Sequence, residues 1–212
     1  MAAARKADVR TLDRLAGRQR GLATHRQLQA AGVARSMIGR RCRPGGPWQR
    51  VLPRVTLIQT GAPDPYQRMP AAVLYAAGPG SAPLSGATAV VTGEAALSLY
   101  RVRGTGSGTV DVLLHEGRKL RDIAYVRIRR TRRPPPSLLF EGVPCVRRPR
   151  AAADFVARET RRRLKLETHG IEVVTVAPSL VRDHPDEVVA AVLAKLRLGA
   201  GRREPLAVRV AA

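Results

Sequence analysis

Ser36, Gly39, Arg40 and Arg43 fall opposite Met37, Ile38 and Cys42 along one helical stretch, so a basic face stands against an apolar one. The chemistry this suits is recognition of a polyanion. Arginine can hold guanine O6 and N7 together in a major groove, and Arg35, Ser36, Gly39 and Arg40 are the expected base-reading positions. Arg26, Arg41, Arg43, Arg50 and Arg54 are the expected phosphate contacts, which add affinity without sequence information. Bond-breaking chemistry finds less support. His25, His115, His169 and His184 are scattered, with no metal-ligand spacing and no partner for a Ser/His/Asp set, and read as surface or core residues. Gly104-Thr105-Gly106-Ser107-Gly108 lacks the Lys-Ser/Thr of a phosphate loop and precedes a strand, so it reads as a hairpin loop. No catalytic residue, metal ligand or cofactor is expected.

The elements that must position the basic residues follow from local pattern. Val9, Leu12, Leu15 and Ala16 share a helical face opposite Arg10, Arg14 and Arg18. Thr24 and Gln27 have capping-box spacing, which starts a second helix over His25–Ala31, and Gly32 supplies the turn before the third. Pro44-Gly45-Gly46-Pro47 ends that third helix. Trp48–Val51 and Val55–Ile58 then read as two short strands around Leu52-Pro53-Arg54. Three helices and a hairpin predict a winged helix-turn-helix, whose third helix enters the major groove of duplex DNA; a winged-helix protein-interaction module is the alternative reading.

Charge supports the same reading. The chain of 212 residues carries 38 Lys+Arg against 16 Asp+Glu, a formal charge of +22. Residues 1–54 hold thirteen Lys and Arg and two Asp, a net +11, so half of the excess lies in a quarter of the chain. Further clusters run from Arg118 to Arg133 and from Arg147 to Lys165, whereas residues 55–100 carry almost none. An Arg-rich, Ala/Gly/Pro/Val-rich composition accounts for some of this, but not for the scarcity of acids, and a polyanion partner is the simpler account. Two cysteines, Cys42 and Cys145, cannot build a disulfide framework or a four-ligand zinc site, and no apolar run follows the basic start, so a reduced, cytoplasmic protein is expected. The nearly neutral run from Pro70 to Tyr100 is long enough for a membrane helix but is broken by Pro79, Pro83 and four glycines, and reads as a buried centre.

The runs Gly21-Leu22-Ala23-Thr24-His25-Arg26-Gln27-Leu28, Ala31-Gly32-Val33 with Arg35-Ser36-Met37-Ile38, and Trp48-Gln49-Arg50-Val51-Leu52-Pro53 resemble the N-terminal domain of AbiEi-type antitoxins. The likeness continues through Leu84–Ala89, Gly93–Leu97 and Val126–Pro134, covering most of residues 10–155. It implies an operator-binding regulator of a type IV toxin-antitoxin operon, with double-stranded DNA and a nucleotidyltransferase toxin as partners. One departure stands out: where relatives usually have Gly after the hairpin proline, this chain has Arg54.

Downstream, residues 66–77 read as a helix, 85–100 as one or two more, and Val110–Leu114 and Ala124–Arg130 as strands. Arg127, Arg129, Arg130, Arg132 and Arg133 either extend a nucleic-acid surface or guard a strand edge against pairing. Pro134-Pro135-Pro136 is a stiff connector. Arg161–His169 reads as a helix, Ile171–Val176 as a strand, and Asp186–Leu196 as a helix burying Val188, Val189, Val192, Leu193 and Leu196. Leu164 to Leu196 is similar to the last helix, strand and helix of a very-short-patch-repair endonuclease. That resemblance implies an acidic residue and a Glu-x-Lys on preceding strands, to hold Mg²⁺ and polarise the scissile phosphate. The few residues between Val156 and Arg161 leave no room for those strands, and Glu159, Glu167, Glu172, Asp183, Asp186 and Glu187 offer no Glu-x-Lys.

The expected fold is therefore α+β: a winged helix-turn-helix over 1–60, a mixed α/β domain over 61–157, and a truncated helix-strand-helix tail over 158–212. The expected function is non-catalytic regulation through duplex DNA. A metal-dependent endonuclease and an RNA-binding protein are the alternatives.

Overall fold

The computed structural model describes residues 8–78, 83–85, 88–106, 108–169 and 178–199. The chain forms two compact units, 1–158 and 159–212, and both helices and sheets are present, as an α+β chain requires.

The first unit opens with α1 (Val9–Arg18), whose N-cap Asp8 accepts from the Thr11 backbone N–H. A short strand β1 (Leu22–Thr24) leads into α2 (His25–Ala30), where Thr24 and Gln27 close the capping box that their spacing predicts. Gly32, at φ +85°, turns the chain into α3 (Arg35–Arg41). Strands β2 (Gln49–Leu52) and β3 (Val55–Leu57) follow, and β1, β3 and β2 pair antiparallel in that order. Ala23, Leu28, Val33, Ile38 and Trp48 form the core under the three helices.

Helix α4 (Pro65–Ala77) begins at Asp64, which with Gln67 makes a second capping box, and Pro65 occupies the first turn, where its missing N–H costs nothing. Its run of small and apolar residues from Pro70 to Ala77 is buried on all sides, because α4 packs against strands of both sheets. The second sheet is mixed, with strand order β6-β5-β4-β8-β7, formed by β4 (Ala89–Thr92), β5 (Val110–His115), β6 (Val126–Thr131), β7 (Ser137–Phe140) and β8 (Val143–Val146). Helix α5 (Gly93–Leu99) follows β4. One continuous core joins Leu22, Leu52, Val55 and Leu57 of the first sheet to α4 and to the second sheet.

Two expectations change here. Residues 85–100 are not wholly helical: Ala89-Val90-Val91-Thr92 is a buried strand between β5 and β8, as its β-branched run favours, and Gly93 at φ +59° turns it into α5. The helix expected from Arg161 is the end of a longer one, α6 (Arg148–Thr168), which crosses from the first unit into the second.

In the second unit α7 (Pro178–Asp183) and α8 (Pro185–Gly199) pack together. The apolar stripe of α8 is not buried as expected. Val188 is half-buried, while Val189, Val192 and Leu193 are exposed, because the six residues of α7 are too few to cover a four-turn helix. The strand expected over Ile171–Val176 and the side chain of Leu196 lie outside the described residues. No helix among the described residues is long and apolar enough to cross a membrane.

Candidate nucleic-acid interface

Helix α3 is held by its two ends. At its start, the Val33 N–H donates to the Leu28 carbonyl and fixes the turn out of α2. At its finish, the Trp48 N–H donates to the Arg41 carbonyl at 3.1 Å, and the Arg41 guanidinium lies 4.7 Å from the centre of the buried Trp48 ring. Gly46 is obligatory in this turn, since a Cβ there would collide with the Arg41 carbonyl oxygen. Ile38 is the buried anchor on the inner face. Arg41 is thus partly spent on packing, as a cation over an indole.

The outer face carries the expected reading residues. Arg35, Ser36, Gly39 and Arg40 are all exposed. Arg35 and Gly39 line a groove of about 610 Å³ together with Arg50, Pro53, Arg54 and His25. Ser36 and Arg40 lie about 100° further round the helix, outside that groove, and Arg40 donates to the Met37 sulfur at 3.1 Å. Arg43 is exposed beyond the end of α3. Arg26 lines a second recess of about 250 Å³, shared with His25, Arg35 and Arg54. The structure therefore brings together Arg35, Gly39, Arg50 and Arg54, with Arg26 adjoining, and leaves Ser36, Arg40, Arg41 and Arg43 on neighbouring surface.

The cations lining this groove have no acidic partner among the described residues. Among the described residues, Arg35, Arg40, Arg41, Arg43, Arg50 and Arg54 form no ion pair. Among the described residues, neither recess is lined by an acidic one.

Two backbone positions here run against local preference. Gly39 sits mid-helix, where glycine is disfavoured by about 1 kcal/mol relative to alanine. A Cβ at Gly39 would meet nothing within 4 Å, so packing inside the protein does not require its smallness. Arg54 holds φ +63° in the two-residue Pro53-Arg54 turn, a conformation that favours glycine and costs a side-chain-bearing residue on the order of 1 kcal/mol. The turn places the Arg54 carbonyl 2.9 Å from the His25 N–H, which donates to it.

His25 is the residue that sequence reasoning missed. Its Nε2 is buried without a hydrogen-bond partner. Burial, then the charges of Arg50, Arg35 and Arg54, hold its pKa below the ordinary 6.5. Locally only Arg26 hinted at this. The other three cations come from α3, β2 and the β2–β3 turn, so the cluster exists only in the folded chain.

The arginines of the second sheet behave differently. Arg129 Nε donates to Asp111 at 2.9 Å, and Arg132 Nε donates to Glu116 at 3.0 Å. Arg127 donates to the Ala124 carbonyl and pairs with Asp122, and Arg130 donates to the carbonyls of Arg118 and Leu120. Strand β6 is an edge strand, so its alternating arginines also stand where edge protection is needed. Beneath them Asp111, buried, takes Arg129 on one oxygen and Arg158 at 3.1 Å on the other, and Arg158 reaches Glu94 at 3.6 Å. Two buried carboxylates are thereby matched by two guanidiniums, an arrangement that neutralises charge. Among the described residues no three His, Cys, Asp or Glu side chains gather into a metal-binding group.

No protein-family model matches the chain, and no curated protein sequence matches it.

Proposed function

We propose that the protein is a non-catalytic regulator that binds duplex DNA through a winged helix-turn-helix formed by its N-terminal module, with α3 in the major groove and the β2–β3 turn as the wing. The observation that carries this reading is the groove of Arg35, Arg50 and Arg54, cations without acidic partners set beside an exposed, glycine-containing helix face. Burying such a surface against protein would leave several unpaired charges desolvated, whereas phosphates neutralise them on contact and release counterions. Arg35 and Arg40 are assigned to base edges. Arg26, Arg43, Arg50 and Arg54 are assigned to the backbone, and Arg41 contributes charge while packed on Trp48.

Duplex is favoured over folded RNA because the deep, narrow major groove of A-form RNA does not admit a helix. The resemblance to AbiEi-type antitoxins supports a further step, repression of an operon encoding a nucleotidyltransferase toxin, and with it a cytoplasmic location. Catalysis is not assigned, since Asp111 and Glu94 are engaged by arginine.

The test is a salt titration of binding to a labelled mixed-sequence duplex, with structured RNA as competitor at matched salt. Wild-type protein is expected to bind duplex with a steep salt dependence, and the Arg40→Ala/Arg43→Ala variant to bind more weakly with a shallower slope. An unchanged titration in that variant sinks the placement of α3.

A further inference from the structure

We propose that the groove between α3 and the β2–β3 turn seats a backbone phosphate of duplex DNA, and that His25 beneath it takes up a proton when the phosphate arrives. This rests on the DNA-binding reading and adds to it a coupling between occupancy and pH.

The geometry supplies both halves of the linkage. His25 borders both the groove and the adjoining recess, so its ring stands between the two places where cations converge. The charged and titratable groups around it are Arg35 from α3, Arg50 from β2, Arg54 from the β2–β3 turn and Arg26 next along α2. Tyr75 of α4 lines the recess on the other side. No carboxylate is among them to draw a proton onto the ring. In the free protein burial opposes a positive charge on His25, and three guanidiniums oppose it further, so the ring is mostly neutral at pH 7 with its Nε2 unpartnered.

A phosphate in the groove weakens that field. Its single negative charge offsets part of the repulsion from Arg35, Arg50 and Arg54, and the ring gains a proton at a pH where the free protein leaves it neutral. By linkage the same free energy appears as tighter binding. The bound-state pKa is the higher one. Affinity therefore rises as pH falls through the window between bound and free values, then levels off once His25 is protonated in both states. The strained Arg54 turn is also tied to His25 through the main chain, since the Arg54 carbonyl accepts from the His25 backbone N–H.

The experiment measures anisotropy of a fluorescein-labelled mixed-sequence duplex with the full chain at constant ionic strength from about pH 5.5 to about pH 7.5, a span that brackets ordinary histidine titration. Wild-type affinity is expected to rise by about threefold to tenfold toward the acid end, the effect of up to one proton taken up. His25→Gln keeps polarity without a titrating ring. It is expected to lose the pH slope. A wild-type slope retained in His25→Gln overturns the His25 coupling while leaving DNA binding intact. Absence of duplex binding by wild-type protein at low salt overturns the coupling together with the DNA reading. Should His25→Gln unfold, the titration of the His25 Cε1–H resonance in wild-type protein decides the matter. A pKa raised by the duplex supports the coupling, and an unmoved or lowered one overturns it.

Discussion

The N-terminal module and the second sheet are both rich in arginine, yet they use it in opposite ways. Around the β5–β6 edge the guanidiniums are absorbed: Arg127, Arg129 and Arg132 have acidic partners, Arg130 holds two carbonyls, and Arg158 joins Asp111 to Glu94. Around α3 and the β2–β3 turn, Arg35, Arg50 and Arg54 crowd a groove with no acid in its lining, and even the nearby histidine is kept neutral. A cation that is matched inside the fold contributes to the fold. One left unmatched beside others of its kind weakens the free protein through mutual repulsion. Net charge alone does not distinguish the two cases, whereas the positions of the acids do.

The largest expected effect lies on the matched side. Asp111→Asn removes the acid from a buried cluster and leaves two guanidiniums facing an amide. It should destabilise the first unit by about 3 kcal/mol, the low end for breaking a buried pair, because Arg129 remains 41% exposed and can turn to water. Urea unfolding followed by the fluorescence of Trp48, the single tryptophan, reads this directly. Next comes the unmatched side. The triple variant Arg35→Ala/Arg50→Ala/Arg54→Ala should leave the unfolding midpoint unchanged or raise it slightly. It should flatten the log–log salt slope of duplex binding by about 1.8, two phosphates at about 0.9 each for Arg50 and Arg54, while the loss of Arg35 removes a base contact. If the triple variant instead unfolds and the Asp111 variant loses DNA binding without losing stability, the contrast between the two regions is wrong.

Smaller effects are expected at the two backbone positions that run against preference. Gly39→Ala should stabilise the protein by about 1 kcal/mol through helix propensity, since the added Cβ meets open space, and should weaken duplex binding. Arg54→Gly should relieve a positive φ, gain on the order of 1 kcal/mol, and shed one phosphate from the salt slope. Opposite signs for stability and binding at both sites are the signature of residues kept for a partner. Parallel losses would mean that the internal fold needs them.

Much of this architecture is legible in sequence wherever the signal is local. The Thr24/Gln27 capping box, the turn at Gly32 and the Pro53 hairpin all rest on contacts within a few residues. What escapes is non-local. β1 is three residues long and exists because Leu22, Ala23 and Thr24 pair with Leu57, Thr56 and Val55. β7 and β8 turn on Glu141 and Gly142, both at positive φ, a hairpin signal hidden behind three prolines. The pairing of Asp111 with Arg129 depends on the parallel register of β5 and β6, in which Asp111 stands opposite Arg127, and no spacing along the chain announces it. His25 escapes for the same reason. Its neighbours in space are three arginines from three other places, so a lone histidine in sequence becomes a cation-crowded one in the fold.

The smallest expected effect is the control that keeps the comparison honest about charge itself. Arg132 is 86% exposed and meets Glu116 at 3.0 Å on the edge of the second sheet. An exposed pair of this kind is worth at most about 0.5 kcal/mol, so Arg132→Ala should leave the unfolding midpoint within error. If charge alone attracted DNA, removing Arg132 would lower affinity as much as removing Arg50, since each takes one unit from the same total. If the geometry of unmatched cations is what counts, Arg132→Ala should leave both affinity and salt slope near wild type while Arg50→Ala lowers both. Equal losses from the two substitutions would reduce the N-terminal groove to one basic patch among several.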